Sequence, residues 1–288
     1  VNTIMLYFPS PAKINRMLRV IRREENGYHY LQTVFQFTDL FDEIGFKVTD
    51  DSEIVFNYDH VDFSLEEDLI YRAITALKEY SHTDKGITID LIKHLPMGAG
   101  IGGGSSNAAT TLVVLNTLWE LNLPETTLLE IGSRLGADVP IFIYGRSAWA
   151  EGIGEKLTPL DVAEEEFILI NPGIHISTKL IFESTHLPRN STLMTEQYFD
   201  ASRAINDCLP AIYHHYPKMR EIMDALDELA LNPYITGTGS CIFVPMPDRE
   251  KLLLLNSLAE SQSWELLLFK SKNHSMLYED APIVLRAE

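Results

Sequence analysis

The chain's best place for chemistry is a glycine-rich stretch, Leu95-Pro96-Met97-Gly98-Ala99-Gly100-Ile101-Gly102-Gly103-Gly104-Ser105-Ser106-Asn107-Ala108-Ala109. It follows an alternating apolar segment, Gly86 to Ile92, and runs into a helical pattern beginning near Ser105. Glycines let the backbone take φ > 0 and let a bulky anion approach the amides. A helix start adds unpaired N–H groups and a partial positive charge of about half a unit. Together these describe a phosphate cradle. The glycines alone fit a flexible loop with a capped helix behind it equally well; Pro96 before them and Ser105-Ser106 after them favour a site.

Two charged residues elsewhere bear on it. Lys13 sits in Pro9-Ser10-Pro11-Ala12-Lys13-Ile14-Asn15, where prolines fix the backbone just ahead of it. A lone lysine otherwise reads as a solvated surface residue. Asp138 lies in Gly136-Ala137-Asp138-Val139-Pro140, between two apolar segments, where a carboxylate is costly unless paired. It also reads as an ordinary turn or helix-terminal aspartate.

The elements that must position these groups follow from periodicity. Val1 to Phe8 reads as a first strand, and Asn26-Gly27 as a turn. Leu31–Phe37, Phe41–Val48 and Glu53–Tyr58 read as successive strands of a largely antiparallel sheet. Glu66–Tyr80 has a helical period, and Gly86–Ile92 returns to period two. Helices are expected over Ser105–Leu121 and Pro124–Leu135; the second is interrupted by Gly136 to Pro140, before the apolar run Ile141–Tyr144. Trp149–Gly154 and Phe167–Ile170 are strand candidates. Helical patterns at Ala201–His215, Lys218–Leu231 and Arg249–Leu258, with strands at Ile242–Val244 and Leu266–Lys270, complete an α+β half. The change of character gives two expected domains, residues 1–160 and 161–288.

Composition narrows the partners. Of 288 residues, 45% are apolar and 10% aromatic, enough for a substantial core. A net charge of −18 argues against a nucleic-acid or anionic-membrane surface, which needs clustered Lys and Arg. The acidic runs Asp161–Glu166 and Glu221–Glu228 read as solvated faces. Cys208 and Cys241 are the only cysteines, neither a disulfide framework nor a metal site, and a reducing cytoplasm is the expected compartment. No run approaches a membrane span, and the apolar start lacks the basic flank of a signal peptide.

Three kinds of phosphate loop compete for the glycines. Gly98-x-Gly100-x-x-Gly103 matches a dinucleotide fingerprint, but it follows apparent hairpins, and the position twenty residues on falls inside or just after a helix rather than on an acidic strand end. The Walker type fails because no lysine follows the glycines. The third type, Pro-x-x-x-Gly-x-Gly-Ser-Ser, resembles Pro96–Ser106 and marks the kinase superfamily of galactokinase, homoserine kinase, mevalonate kinase and phosphomevalonate kinase. Pro9–Asn15 looks like that superfamily's first motif and Thr236-Gly237-Thr238-Gly239-Ser240-Cys241 like its third. With Asn26-Gly27-Tyr28-His29 and Leu135-Gly136-Ala137-Asp138-Val139-Pro140, the match is similar to one branch, the 4-diphosphocytidyl-2-C-methyl-D-erythritol kinases of the non-mevalonate isoprenoid route.

The resemblance implies an α+β, two-domain kinase. Its N-terminal domain (1–160) would be a nucleotide-binding and catalytic unit with a mixed sheet of the ribosomal protein S5 domain 2 type. Its C-terminal domain (161–288) would be a ferredoxin-like substrate-binding unit. It implies ATP as donor, Mg²⁺ accompanying the nucleotide, a cytidyl diphosphate acceptor, and a monomer or weak homodimer. Asp138 would accept the hydroxyl proton, and Lys13 would pair with it and orient the hydroxyl. Pro96, Met97, Gly98, Ala99, Gly100, Ile101, Gly102, Gly103, Gly104, Ser105, Ser106 and Asn107 would hold the phosphates, with Lys93 by the adenine or the phosphates. Asn15, Phe35, Asp138 and Thr178 would meet the acceptor. Tyr28 would stack on its cytosine, His29 would bond the base's polar edge, and Phe182 would close the other side. Phe182 reads equally well as a helix core residue. One departure is Asp68, where the family often has Asn; an ionised carboxylate only accepts hydrogen bonds, so no nucleotide contact is carried onto it. The rival readings are another small-molecule kinase, a diphosphomevalonate decarboxylase, or a non-catalytic ligand sensor on the same fold; the presence of both Lys13 and Asp138 argues against the sensor.

Overall fold

Two long strands form the spine of the molecule. In the computed structural model, which describes residues 4–58, 64–202 and 205–279, the first part runs β1 (Leu6–Arg23), β2 (His29–Thr49), β3 (Ile54–Phe56), α1 (Leu69–Ser81), β4 (Gly86–Ile92), α2 (Gly103–Leu118), α3 (Glu125–Leu135), α4 (Val139–Tyr144), β5 (Ala148–Gly152) and β6 (Lys156–Pro159). The second part runs β7 (Glu166–Asn171), α5 (Thr178–Glu183), α6 (Leu209–His215), α7 (Pro217–Glu228), β8 (Tyr234–Ile235), β9 (Ile242–Pro245), α8 (Arg249–Gln262) and β10 (Glu265–Lys272). β2 pairs antiparallel with β1, β4 and β5, and β3 joins β4 in parallel, so the sheet is mixed. A short pairing of Ser271 and Lys272 with Thr38 and Phe37 links β2 to the antiparallel set β10-β7-β9-β8.

Alternation along β1 explains what it carries. Ala12 and Ile14 face one way, packing with Phe167, Leu169, Phe243 and Phe269. Lys13 and Asn15, two residues apart, share the opposite face. Bulges between Pro11 and Lys13 and between Asn15 and Met17 interrupt the ladder with β2. A bulge frees backbone groups from the ladder, and the Lys13 N–H bonds Ile101 O of the glycine stretch at 3.0 Å instead.

Two cores flank the sheet. α1 to α4 pack on the first part through Ile74, Leu77, Leu112, Val113, Ile141 and Ile143. α5 to α8 enclose the second with Ile212, Met219, Ile222 and Leu255, a cluster that also takes Leu18 and Val20 of β1.

Three expectations change. Leu31–Phe37 and Phe41–Val48 are one strand; the polar interval at Thr38-Asp39 does not break it because Thr38 Oγ1 bonds Leu40 N and β10 docks there. The helix starts at Gly103, two residues early, because the buried run through Ala108 to Leu115 carries the glycines with it and Gly102 caps the start at φ 76°. Only Leu209–His215 of the pattern Ala201–His215 is helical: Leu18 N bonds Ile205 O and Asp207 N bonds Leu18 O, holding that segment against β1, while Pro210 sits in the helix's first turn. Residues 203–204 of that pattern, and residues 1–3 of the expected first strand, lie outside the described residues. The apolar run Ile141–Tyr144 is helical, part of α4.

Candidate active site

The glycine stretch is a wall with a cavity on each side. One cavity, of 660 Å³, is lined by Pro96, Met97, Gly98, Ala99, Gly100, Ile101, Gly102, Gly103, Gly104, Ser105 and Asn107, with Lys93, Tyr58 and Asp68 to Ile70. The other, of 540 Å³, is lined by Lys13, Asn15, Thr33, Phe35, Asp138, Thr178 and Phe182, with His175 and Gly237 to Gly239. Gly98, Gly100, Gly102 and Ser105 belong to both.

Close packing dictates glycine at two of these positions. A Cβ on Gly100 (φ 78°) would lie 2.6 Å from Thr236 O, and one on Gly102 (φ 76°) 2.8 Å from the Phe142 ring. The tight fit seats the stretch against β1 and the third glycine turn, with Cys241 N bonding Ala99 O at 3.1 Å. Beyond Gly102, no side chain caps α2, and the amides of Gly103, Gly104 and Ser105 have no acceptor among the described residues. Three free N–H groups at a helix start form an anion site.

Lys13 is 2% exposed. Its ammonium lies 3.1 Å from Asp138 Oδ2, donates to Asn15 Oδ1 at 2.7 Å and Gly100 O at 3.2 Å, and sits 5.3 Å above the Phe35 ring. Asp138 holds the cap position of α4, yet its side chain makes no capping bond. The carboxylate is given over to Lys13 and the cavity. Asn15 is fixed in turn, its amide donating to Thr33 Oγ1 at 2.8 Å.

Thr178 opens α5, and its hydroxyl meets that of Thr238 at 2.9 Å, tying the helix to the third glycine turn. Phe182, later in α5, lies 5.3 Å from the His29 ring. Tyr28, on the turn between β1 and β2, is 60% exposed and makes no ring contact among the described residues. Ser106 lines neither cavity: it is fully buried, and Ser10 Oγ donates to its hydroxyl at 2.9 Å. Asp68 is engaged as the cap of α1, accepting from Ile70 N and from the Tyr58 hydroxyl, each at 2.7 Å.

Sequence reasoning missed Asp42. It is fully buried and accepts from Lys93 Nζ at 2.6 Å and from the N–H groups of His94 and Leu95, each at 2.9 Å. The Asn107 amide, with its nitrogen turned inward, reaches Asp42 Oδ2 at 3.2 Å and Gly103 O at 3.1 Å. Asp42 thus braces both ends of the glycine stretch. The signal was available, since alternation puts Asp42 on the face of Ile44 and Phe46. Arg189 and His175 were also missed; both lie in irregular segments without periodicity.

Comparison with known proteins identifies the relatives of the chain. Residues 68–146 match the model of the GHMP kinases N terminal domain. A 4-diphosphocytidyl-2-C-methyl-D-erythritol kinase of Methylococcus capsulatus is 43% identical over 275 residues, covering 95% of this chain and 94% of the relative. A crystal structure of a 4-(cytidine 5'-diphospho)-2C-methyl-D-erythritol kinase superposes with a TM-score of 0.78 at 27% identity, covering 92% of this chain and 99% of that one. The mevalonate kinase of Methanococcus jannaschii shares the fold, with a TM-score of 0.65 at 14% identity over 94% of this chain and 99% of that one. This chain belongs to the 4-diphosphocytidyl-2-C-methyl-D-erythritol kinase family, within the GHMP kinases.

Proposed function

We propose that this chain transfers the γ-phosphoryl group of ATP to the 2-hydroxyl of 4-diphosphocytidyl-2-C-methyl-D-erythritol, a step of the non-mevalonate route to isoprenoid precursors. The observation that carries the site assignment is the shared wall: two cavities meet at Gly98 to Ser105, with the Lys13–Asp138 pair on one side and the open amides of α2 at the junction. Phosphoryl transfer needs the donor and acceptor ends held in line, the phosphate charge offset and the hydroxyl proton accepted. The open amides of Gly103, Gly104 and Ser105 fit the phosphates of ATP, which supplies the group transferred.

On the acceptor side, Asp138 takes the hydroxyl proton. Lys13 has its ammonium between Asp138 Oδ2 and Gly100 O, where it holds the carboxylate towards the cavity and places positive charge beside the loop. Asn15 and Thr178 orient the hydroxyl-bearing chain, while Tyr28, His29 and Phe182 take the cytosine. Mg²⁺ would come bound to the nucleotide, whose phosphates supply oxygen ligands and leave the protein few to add. Residues 1–160 would form the nucleotide-binding part and residues 161–288 the acceptor-binding part. In support, the donor cavity is lined wholly from the first range, and the acceptor cavity takes His175 to Thr178, Phe182 and Gly237 to Gly239 from the second.

An acceptor panel tests the reading. ADP release is measured with 4-diphosphocytidyl-2-C-methyl-D-erythritol beside mevalonate, homoserine and galactose. Turnover of the first alone is expected; turnover of one of the others without it overturns the proposal, and binding without ADP release for every acceptor marks a sensor.

A further inference from the structure

We infer that Arg189 is a positioning residue that holds His29 in the tautomer carrying its hydrogen on Nδ1, so that the ring offers a base a donor and no acceptor. The inference rests on the reading of a cytidyl acceptor. Arg189 Nε donates to His29 Nε2 at 2.9 Å. A guanidinium has only N–H groups and keeps its proton, so the nitrogen facing it must present a lone pair. The single hydrogen of the neutral imidazole is then on Nδ1.

Arg189 itself cannot turn away. Its other two nitrogens donate to Leu187 O at 3.1 Å and to Phe182 O and Ser184 O at 2.8 Å each. One guanidinium thus fixes the ring of His29 and the end of α5, which carries Phe182. A second hydrogen on His29 would point at that guanidinium. Burial, Arg189 and Arg23 all push the His29 pKa below its ordinary value, in the same sense.

The Nδ1–H has no partner among the described residues. It is also not a sealed atom, since Arg19 Nε is the one side-chain nitrogen or oxygen among them that is both buried and unbonded. It is therefore a free donor on a ring 5.3 Å from that of Phe182, which lines the acceptor cavity although His29 itself does not. Cytosine has a lone pair at N3, flanked by the O2 acceptor, whereas uracil carries a hydrogen at N3. A fixed donor accepts the first edge and opposes the second, and a site built for one hydrogen-bond pattern discriminates by leaving polar groups unpaired with the other. Without Arg189 the imidazole can move its hydrogen to Nε2 and offer Nδ1 as an acceptor.

The test has two arms. In the ligand-free protein, ¹⁵N–¹H correlations of the His29 ring should show a single tautomer with Nε2 unprotonated, and Arg189→Met should give a mixture. A wild-type ring protonated on Nε2 overturns the proposal without any variant having to fold. In the second arm, kcat/KM is compared for the cytidyl acceptor and its uridyl counterpart. Arg189→Met should cut the cytidine preference about tenfold, the size of one hydrogen bond, through the acceptor KM and with the ATP KM unchanged. In a His29→Ala background the same change should leave the preference where it was. An equal loss in that background shows that Arg189 acts only by shaping the loop, which overturns the proposal. If wild type turns over no cytidyl acceptor, the functional reading falls instead, and the tautomer arm still decides the Arg189–His29 relation.

Discussion

Lys13 Nζ lies 3.1 Å from Asp138 Oδ2, although Lys13 belongs to a bulged strand and Asp138 to the turn ahead of α4. The bulge and the turn serve one purpose. The first releases the Lys13 N–H to bind the glycine stretch at Ile101 O, and the second leaves a capping aspartate with no cap to make. The pair therefore meets directly beside the loop expected to hold the donor phosphates.

Asp138→Asn keeps the shape of the pair and removes the proposed proton acceptor. A general base is worth roughly 10²–10⁴-fold, and kcat should fall by that factor while both ligands still bind. Steady-state ADP release with calorimetric binding checks it; near-normal turnover would remove Asp138 as the base.

Tyr28→Ala should act on the acceptor alone. Stacking on a base is worth about 1–3 kcal/mol, so the acceptor KM should rise roughly 5- to 150-fold with the ATP KM unchanged. The residue is 60% exposed, so the fold should be untouched. An effect confined to ATP would move Tyr28 out of the acceptor pocket.

Asp42→Ala is expected to destabilise the fold by about 2–4 kcal/mol, because two backbone N–H groups lose their acceptor at about 1–3 kcal/mol each, while Lys93, 31% exposed, can turn to water. Asp42→Asn, which keeps an acceptor oxygen, should cost less. Denaturant titration compares them, and equal losses from both variants would show that the hydrogen bonds are secondary to the charge.

The His29 pKa lies below 6.5, lowered by burial, Arg189 and Arg23. The folded ring therefore stays neutral to lower pH than a free imidazole and gains its proton only in more acidic solution. The acceptor KM should be flat around neutral pH and rise as the solution is made acid, with the ATP KM not following. The same sign holds for stability: the unfolded ring, titrating at about 6.5, binds the proton first, so stability contributed by His29 declines as pH drops below 6.5. An acceptor KM that rises with increasing pH across this range would contradict the neutral ring.

Much of the fold was legible locally. Gly86–Ile92 is a strand with the bounds its alternation implies, and α3 ends at Leu135 where the glycine follows. The pattern failed where long-range contacts overrode it. Thr38-Asp39 looked like a break and is bridged by β10, and residues before Leu209 looked helical but are held by Leu18.

The candidate site divides the same way. Most of the elements were legible in the sequence by itself, and motifs that resemble those of a kinase superfamily marked the phosphate-loop type and Lys13, Asp138, Tyr28 and His29 as candidates, because spacing and residue type are local properties. Only the tertiary structure decided that Lys13 and Asp138 meet, that Ser106 points inward to Ser10, and that Asp42 and Arg189 stand behind the loop and His29. Those are contacts between distant segments, and they depend on sheet register and burial that no window of the chain contains.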